Sequence, residues 1–155
     1  MRDPEATLLV ELRYFDQELA EAYRSTLDRF GGRGTPELRR FRADHQRHAQ
    51  RIDDYLFDAL GRQSLPMEAQ EAVSERIWPV RDARDAESAR LALLAAERYC
   101  LETHQRALRT AALTPAAEVL VREHLDEEQQ HVRYLEQRAL VSSSPASGGI
   151  PPELW

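Results

Sequence analysis

The chain reads as an all-α domain: a four-helix bundle of two helical hairpins, with a long connection between helices 2 and 3. Three observations predict this. Only 7% of residues are aromatic and 42% are hydrophobic, while Ala, Leu, Glu and Arg dominate, the profile of long packed helices rather than sheets. Apolar residues recur at steps of three and four through four long segments. Capping residues, prolines and glycines mark where those segments begin and end. At 155 residues the chain is long enough for one domain with a sizeable core.

The first helix is expected from Pro4 to Phe30. Asp3 suits the N-cap and Pro4 the first helical position. Its apolar stripe is Leu8, Leu12, Phe15, Leu19, Ala22, Thr26 and Phe30, and Gly31, Gly32 and Gly34 end it. Thr35 and Pro36 repeat the cap-plus-proline signal and start a second helix to Leu60, closed by Gly61. In the connection, Pro66 and Pro79 bound a short helix over Met67 to Trp78, with Trp78 expected to pack on the bundle. A third helix follows from Asp85 to Ala112. Thr114 and Pro115 open a fourth, running to Leu140. A short link would force helices two and three antiparallel, whereas a long one can cross the bundle. The bundle is therefore assigned to residues 1–140. From Val141 onward Ser, Pro and Gly dominate, which predicts a disordered tail over 141–155. Its apolar end, Ile150 to Trp155, is read as a loose end or a docking peptide.

The two hairpins look like a repeat. An offset of 79 aligns Glu18 with Glu97, Thr35-Pro36 with Thr114-Pro115, and His45 with His124. It also aligns Gln50 with Gln129 and Tyr55-Leu56 with Tyr134-Leu135.

The formal net charge is −6 and no long basic stretch occurs. Phosphate neutralisation needs clustered cations, so nucleic acid is excluded as a partner, and acidic membrane surfaces are disfavoured. No stretch approaches the roughly 20 apolar residues of a membrane span, and no secretory signal opens the chain. Cys100 is the only cysteine, which fits a reducing compartment and a cytoplasmic location.

All five histidines stand where a bundle would normally place leucine. Helical spacing puts Leu38, Phe41, His45, His48, Ile52 and Leu56 on one face. It does the same for Leu94, Glu97, Leu101, His104 and Leu108, and for Leu120, His124, Glu128, His131 and Leu135. Burying imidazole or carboxylate is costly unless something pairs with it. With a rise of about 1.5 Å per residue, Glu18, His48, Glu97, Glu128 and His131 all fall near mid-height. That predicts a compact band of carboxylates and imidazoles inside the bundle. The unit Glu128-Gln129-Gln130-His131 places its carboxylate and imidazole on one face, where the carboxylate can bridge two metals. Such mixed O and N donors suit Fe, Mn or Zn better than Ca or Mg.

On these residues the chain resembles the ferritin-like superfamily, near rubrerythrin-type domains and small bacterial four-helix-bundle families of unknown function, over residues 5–140. The superfamily pattern is Glu on helix one, Glu-x-x-His on helix two, Glu on helix three and Glu-x-x-His on helix four. Glu18, Glu97, Glu128 and His131 match it by position, so the resemblance implies that they are metal ligands. Helix two departs from the pattern, offering His45-Gln46-Arg47-His48 preceded by Asp44. Either His48, with His45, replaces the bridging carboxylate, or the second metal position is lost.

The metal ligand set is therefore Glu18, His45, His48, Glu97, Glu128 and His131, with iron the expected ion and manganese or zinc as alternatives. Oxidant handling or a small redox reaction is the expected role, with a redox partner of unknown identity. Plainer roles stand beside these. Glu18 could pair with an Arg at the edge of its stripe, and Glu128 with His131 could face solvent. His45 and His48 could be buried neutral histidines held by Asp or Glu. His104 is read as a satisfied core histidine, or one supporting the ligands. Cys100 is read as a small buried apolar residue, and Tyr14, Tyr23, Tyr55, Tyr99 and Tyr134 as boundary residues with wet hydroxyls. Two other functions compete: a metal-free interaction bundle, and a hemerythrin-like oxygen binder suggested by His124-x-x-x-Glu128. The latter ranks last, because helix one has no histidine. A homodimer is the expected assembly, with Trp78 in its contact.

Overall fold

The structure is a computed structural model that describes residues 3–32, 34–59, 65–110 and 112–143. Five helices occur among the described residues, and no strand does: α1 (Pro4–Phe30), α2 (Thr35–Ala59), α3 (Met67–Arg81), α4 (Ala86–Arg109) and α5 (Pro115–Ser143). Local chemistry explains their ends. Asp3 Oδ1 accepts from the backbone N–H of Glu5 at 2.8 Å and of Ala6 at 3.3 Å, with Pro4 behind it, a side-chain N-cap. Asp85 caps α4 by accepting from Ser88 N–H at 2.7 Å, and Thr114 Oγ1 accepts from Ala117 N–H at the start of α5. Gly34 has φ +82°, and a Cβ there would run into the Tyr134 hydroxyl and the Arg138 guanidinium. The first hairpin link therefore requires glycine on two grounds.

Three expectations are corrected here. α3 runs on through Pro79 to Arg81, because a proline so close to a helix end removes one hydrogen bond of a ladder that is finishing anyway. Trp78 does not pack on the bundle but is 63% exposed; Val73, Ile77 and Val80 form the buried face of α3. α5 extends three residues beyond Leu140, to Ser143. Residues 144–155, including the Ile150 to Trp155 cluster, lie outside the described residues, as do Leu60 and Gly61.

Cross-contacts give the helix directions. Along α1, Arg13 meets Asp53, Asp16 meets His45 and Tyr23 meets Phe41, so α2 runs opposite to α1. Glu11 and Tyr23 of α1 meet Arg106 and Glu97 of α4, again antiparallel. Arg51 meets Glu123, His48 meets His124 and Phe41 meets Tyr134, which sets α5 antiparallel to α2. α2 and α4 therefore point the same way. Between them α3 travels along α1, with Tyr14 near Ser74 and Arg81 on Glu18, and Arg29 reaches the carbonyls of Arg81 and Ala83.

The core is in two apolar layers with a polar band between them. One layer gathers Phe15, Leu19, Tyr23, Leu38, Phe41, Ile77, Leu93 and Leu135. The other gathers Leu9, Leu12, Ile52, Leu56, Leu120 and Val121. In the band lie Asp16, Glu97, Glu128 and all five histidines, each at most 1% exposed.

Candidate metal centre

The band is built from helix turns that the sequence makes amphipathic. α2 contributes His45 and His48 from the face that buries Leu38, Phe41 and Ile52. α5 contributes His124, Glu128 and His131 between Val121 and Leu135, and α4 contributes Glu97 and His104. α1 contributes Asp16, not Glu18. Glu18 is partly exposed and paired with Arg81 at 2.8 Å, so the structure places it outside the cluster.

Two groups of four share two members. Asp16, His45, His48 and Glu128 offer ligand atoms within 4.8 Å of one another, and so do His45, Glu97, Glu128 and His131. The shared side chains face both ways. His45 Nδ1 lies 2.8 Å from Asp16 Oδ1, while its Nε2 lies 2.9 Å from Glu97 Oε1. Glu128 Oε1 stands 3.3 Å from His48 Nδ1 and from His45 Nδ1, and Oε2 stands 3.9 Å from His131 Nδ1. His131 Nδ1 is 3.3 Å from Glu97 Oε1, and His48 Nδ1 is 3.5 Å from Asp16 Oδ1.

An outer layer orients the two terminal histidines. His48 Nε2 meets Glu127 Oε2 at 3.1 Å, and His131 Nε2 meets Asp44 Oδ2 at 2.9 Å. Each ring thus has its outer nitrogen on a carboxylate and its inner nitrogen turned to the centre without a hydrogen bond. A metal-ligating histidine is held in the same way. The exchange is reciprocal: the acid preceding each motif serves the histidine of the other helix. An offset of 83 relates Asp44, His45 and His48 to Glu127, Glu128 and His131, and one of 81 relates Asp16 to Glu97. The caps repeat at 79. Aligning on caps therefore set Glu18 opposite Glu97, two residues and about 200° of helix away from Asp16.

Partners rather than burial decide the charges. Burial opposes a proton on His45, but Glu128, Glu97 and Asp16 outweigh it and hold the imidazole well above its usual range. Against the same burial, Asp16 and Glu128 push His48 up to about 10, and Glu97 and Asp44 raise His131. Burial would raise Glu97 and Asp16; the facing imidazoles prevail and hold both below the usual carboxylate range. Glu128 is raised, by burial first and then by Glu97. His124 follows burial as well: burial, with His48 beside it, brings it down to about 2.

Tyr23 was expected at a boundary with a wet hydroxyl. It is instead fully buried, donates to Glu97 Oε1 and stacks on His45. Asp16, Tyr23, Asp44 and Glu127 are thus the site residues that spacing did not select. Asp16 had a usable signal, lying four residues after Leu12 and three before Leu19 on the apolar stripe. Cys100 is buried as expected, and burial pushes its thiol up.

The donor set fits transition-metal ions. Two ligand atoms on opposite sides of an ion are about 4.2 Å apart, and the ligand atoms of each group lie within 4.8 Å of one another. Unpaired buried polar atoms cost about 1–3 kcal/mol each. Most of those among the described residues lie in the polar band, with His48 Nδ1, Glu97 Oε2, both oxygens of Glu128 and His131 Nδ1 in the paired groups. Three carboxylates nearly balance two divalent ions. No family model, curated protein or solved structure matches the chain.

Proposed function

We propose that this chain is a ferritin-like protein that holds two first-row transition-metal ions, iron foremost, and uses them in oxidant handling or a small redox reaction. One observation carries the reading: His45 and Glu128 each present one ligand atom to either half of the centre. In this reading α1, α2, α4 and α5 form the four-helix bundle and α3 lies in its long connection. The shared direction of α2 and α4 supports that, since the chain must then cross the bundle between them. His45 takes the place that a bridging carboxylate holds in the superfamily pattern, and Asp16 takes the place of the helix-one Glu.

Iron bound there would supply electrons and open coordination positions to oxygen or peroxide. The protein's own groups do the rest. Asp44 and Glu127 fix the terminal imidazoles, Tyr23 orients Glu97, and the apolar layers on either side exclude water. Manganese or zinc suits the same donors.

Elemental analysis of untagged protein after anaerobic Fe(II) loading, with an absorption spectrum before and after peroxide, tests the proposal. Two ions per chain and a peroxide-dependent spectral change are expected. Clearly substoichiometric iron would overturn it. A metal-free structural role has one observation in its favour, because His45 already bridges Asp16 and Glu97 without any ion. Replacing Glu97 and His48 together by leucine separates the two. A purely structural cluster keeps or gains stability, whereas a metal centre loses its metal-dependent stabilisation.

A further inference from the structure

His104 and His124 play no part in the paired centre, yet both are completely buried. His104 Nδ1 lies 2.8 Å from the carbonyl of Cys100, one helical turn back. A carbonyl can only accept, so Nδ1 carries the proton and Nε2 is left with a lone pair. Nε2 makes no hydrogen bond, and neither does either ring nitrogen of His124. The second oxygen of Asp16, Oδ2, is likewise without one, its Oδ1 being taken up by His45. Asp16, His104 and His124 offer ligand atoms within 4.8 Å of one another. An ordinary apolar core would place leucine at both histidine positions and leave no such debt of hydrogen bonds.

We propose that Asp16, His104 and His124 form a third metal position, adjoining the paired centre through Asp16 and taking a divalent first-row transition ion. Two imidazoles and one carboxylate are a recurrent donor set for such ions and leave coordination positions open. The two oxygens of Asp16 give it one atom for each side: Oδ1 toward His45 and His48, Oδ2 for the third position. The backbone hydrogen bond on His104 does for that ring what Asp44 and Glu127 do for His131 and His48, holding one nitrogen outward and the other free. His124 has no such anchor. Its ring is instead held by stacking on His48, with centroids 4.0 Å apart and planes 18° from parallel.

The test is Zn(II) titration of the uniformly 15N-labelled full chain, with ring nitrogens of the five histidines assigned through bonds. Zn(II) is diamagnetic, so a large shift reports coordination at that nitrogen alone. His104 Nε2 and one nitrogen of His124 are expected to move to metal-bound values, and bound zinc in H104Q and H124Q is expected to fall by one ion. Movement of His48 and His131 while His104 and His124 keep their metal-free shifts would overturn the third position and leave the paired centre standing. If none of the four moves, both proposals fail. Co(II) substitution adds a control: an intense near-ultraviolet thiolate band would assign the ion to Cys100, His104 and Glu128, and would equally overturn the proposal.

Discussion

His48 and His124 stack face to face in the same buried layer, yet they sit at opposite ends of the imidazole range. His48 is pushed up to about 10 and His124 down to about 2. Both are fully buried, so burial does not separate them. His48 faces Asp16, Glu127 and Glu128, whereas His124 faces His48 and His104, with Asp16 nearby but outweighed by burial. The band therefore has a charged half, in which carboxylates hold protons on the facing imidazoles, and a neutral half around His124, where burial keeps the ring uncharged. The first holds protons that a bound metal would have to displace. His124, in the second, has no imidazolium proton to give up.

The largest expected effect lies in the charged half. His45→Leu removes the cation between Asp16 and Glu97 and leaves two buried carboxylates facing each other. Breaking a buried pair in this way costs about 3–5 kcal/mol, to be read from urea unfolding of metal-free protein. An unchanged midpoint would mean that His45 is neutral.

Next comes pH, with effects on the order of a few kcal/mol. His48, His45 and His131 are raised, so their contribution is complete below the ordinary value of 6.5 and is lost as pH climbs, for His48 through about 10. Glu128, also raised, loses its contribution as pH climbs from its ordinary 4.5. His124 has the opposite sign: its contribution is present above 6.5 and is lost as pH falls. Asp16 and Glu97, both lowered, lose theirs as pH falls below their ordinary values. Metal-free protein is thus expected to be most stable between about pH 5 and 7. Saturating zinc is expected to flatten the alkaline limb, because the ion replaces the protons. Thermal melts across pH, with chelator or with zinc, check both statements.

A smaller effect of the reverse sign is expected in the neutral half. His124→Leu replaces two unsatisfied nitrogens by methyl groups and should stabilise metal-free protein by about 1 kcal/mol, while weakening its response to zinc. Loss of stability would show that His124 has a partner in solution. Smallest of all is Glu18→Gln. Its pair with Arg81 is partly exposed at both ends, so unfolding is expected to change by no more than about 0.5 kcal/mol. Metal stoichiometry is expected to stay the same, whereas Asp16→Asn should lower it.

Much of this was legible along the chain. Asp3 with Pro4, Thr114 with Pro115 and the glycines after Phe30 are local signals read within one turn of helix, and the helices begin and end there. The inward direction of His45, His48, Glu97, His104, His124, Glu128 and His131 was equally readable, because each continues an apolar stripe. Asp16 shares its stripe too, but an acid among leucines was outweighed by the match of Glu18 to Glu97 at the offset set by the caps. Trp78 misled for the opposite reason: a large aromatic suggests burial, and its turn of α3 presents Ile77 and Val80 to the core instead.

Helix extents and the choice of inward faces are matters of neighbours three and four residues away, so linear order carries them. Which atoms meet across the interior is another matter. That Asp44 serves His131, that Glu127 serves His48, and that Asp16 meets His45 depend on how four helices are rotated against one another. A rotation of a fraction of a turn would exchange partners without altering any stripe. The protonation of each imidazole follows from those partners, so it arises only once the helices are packed.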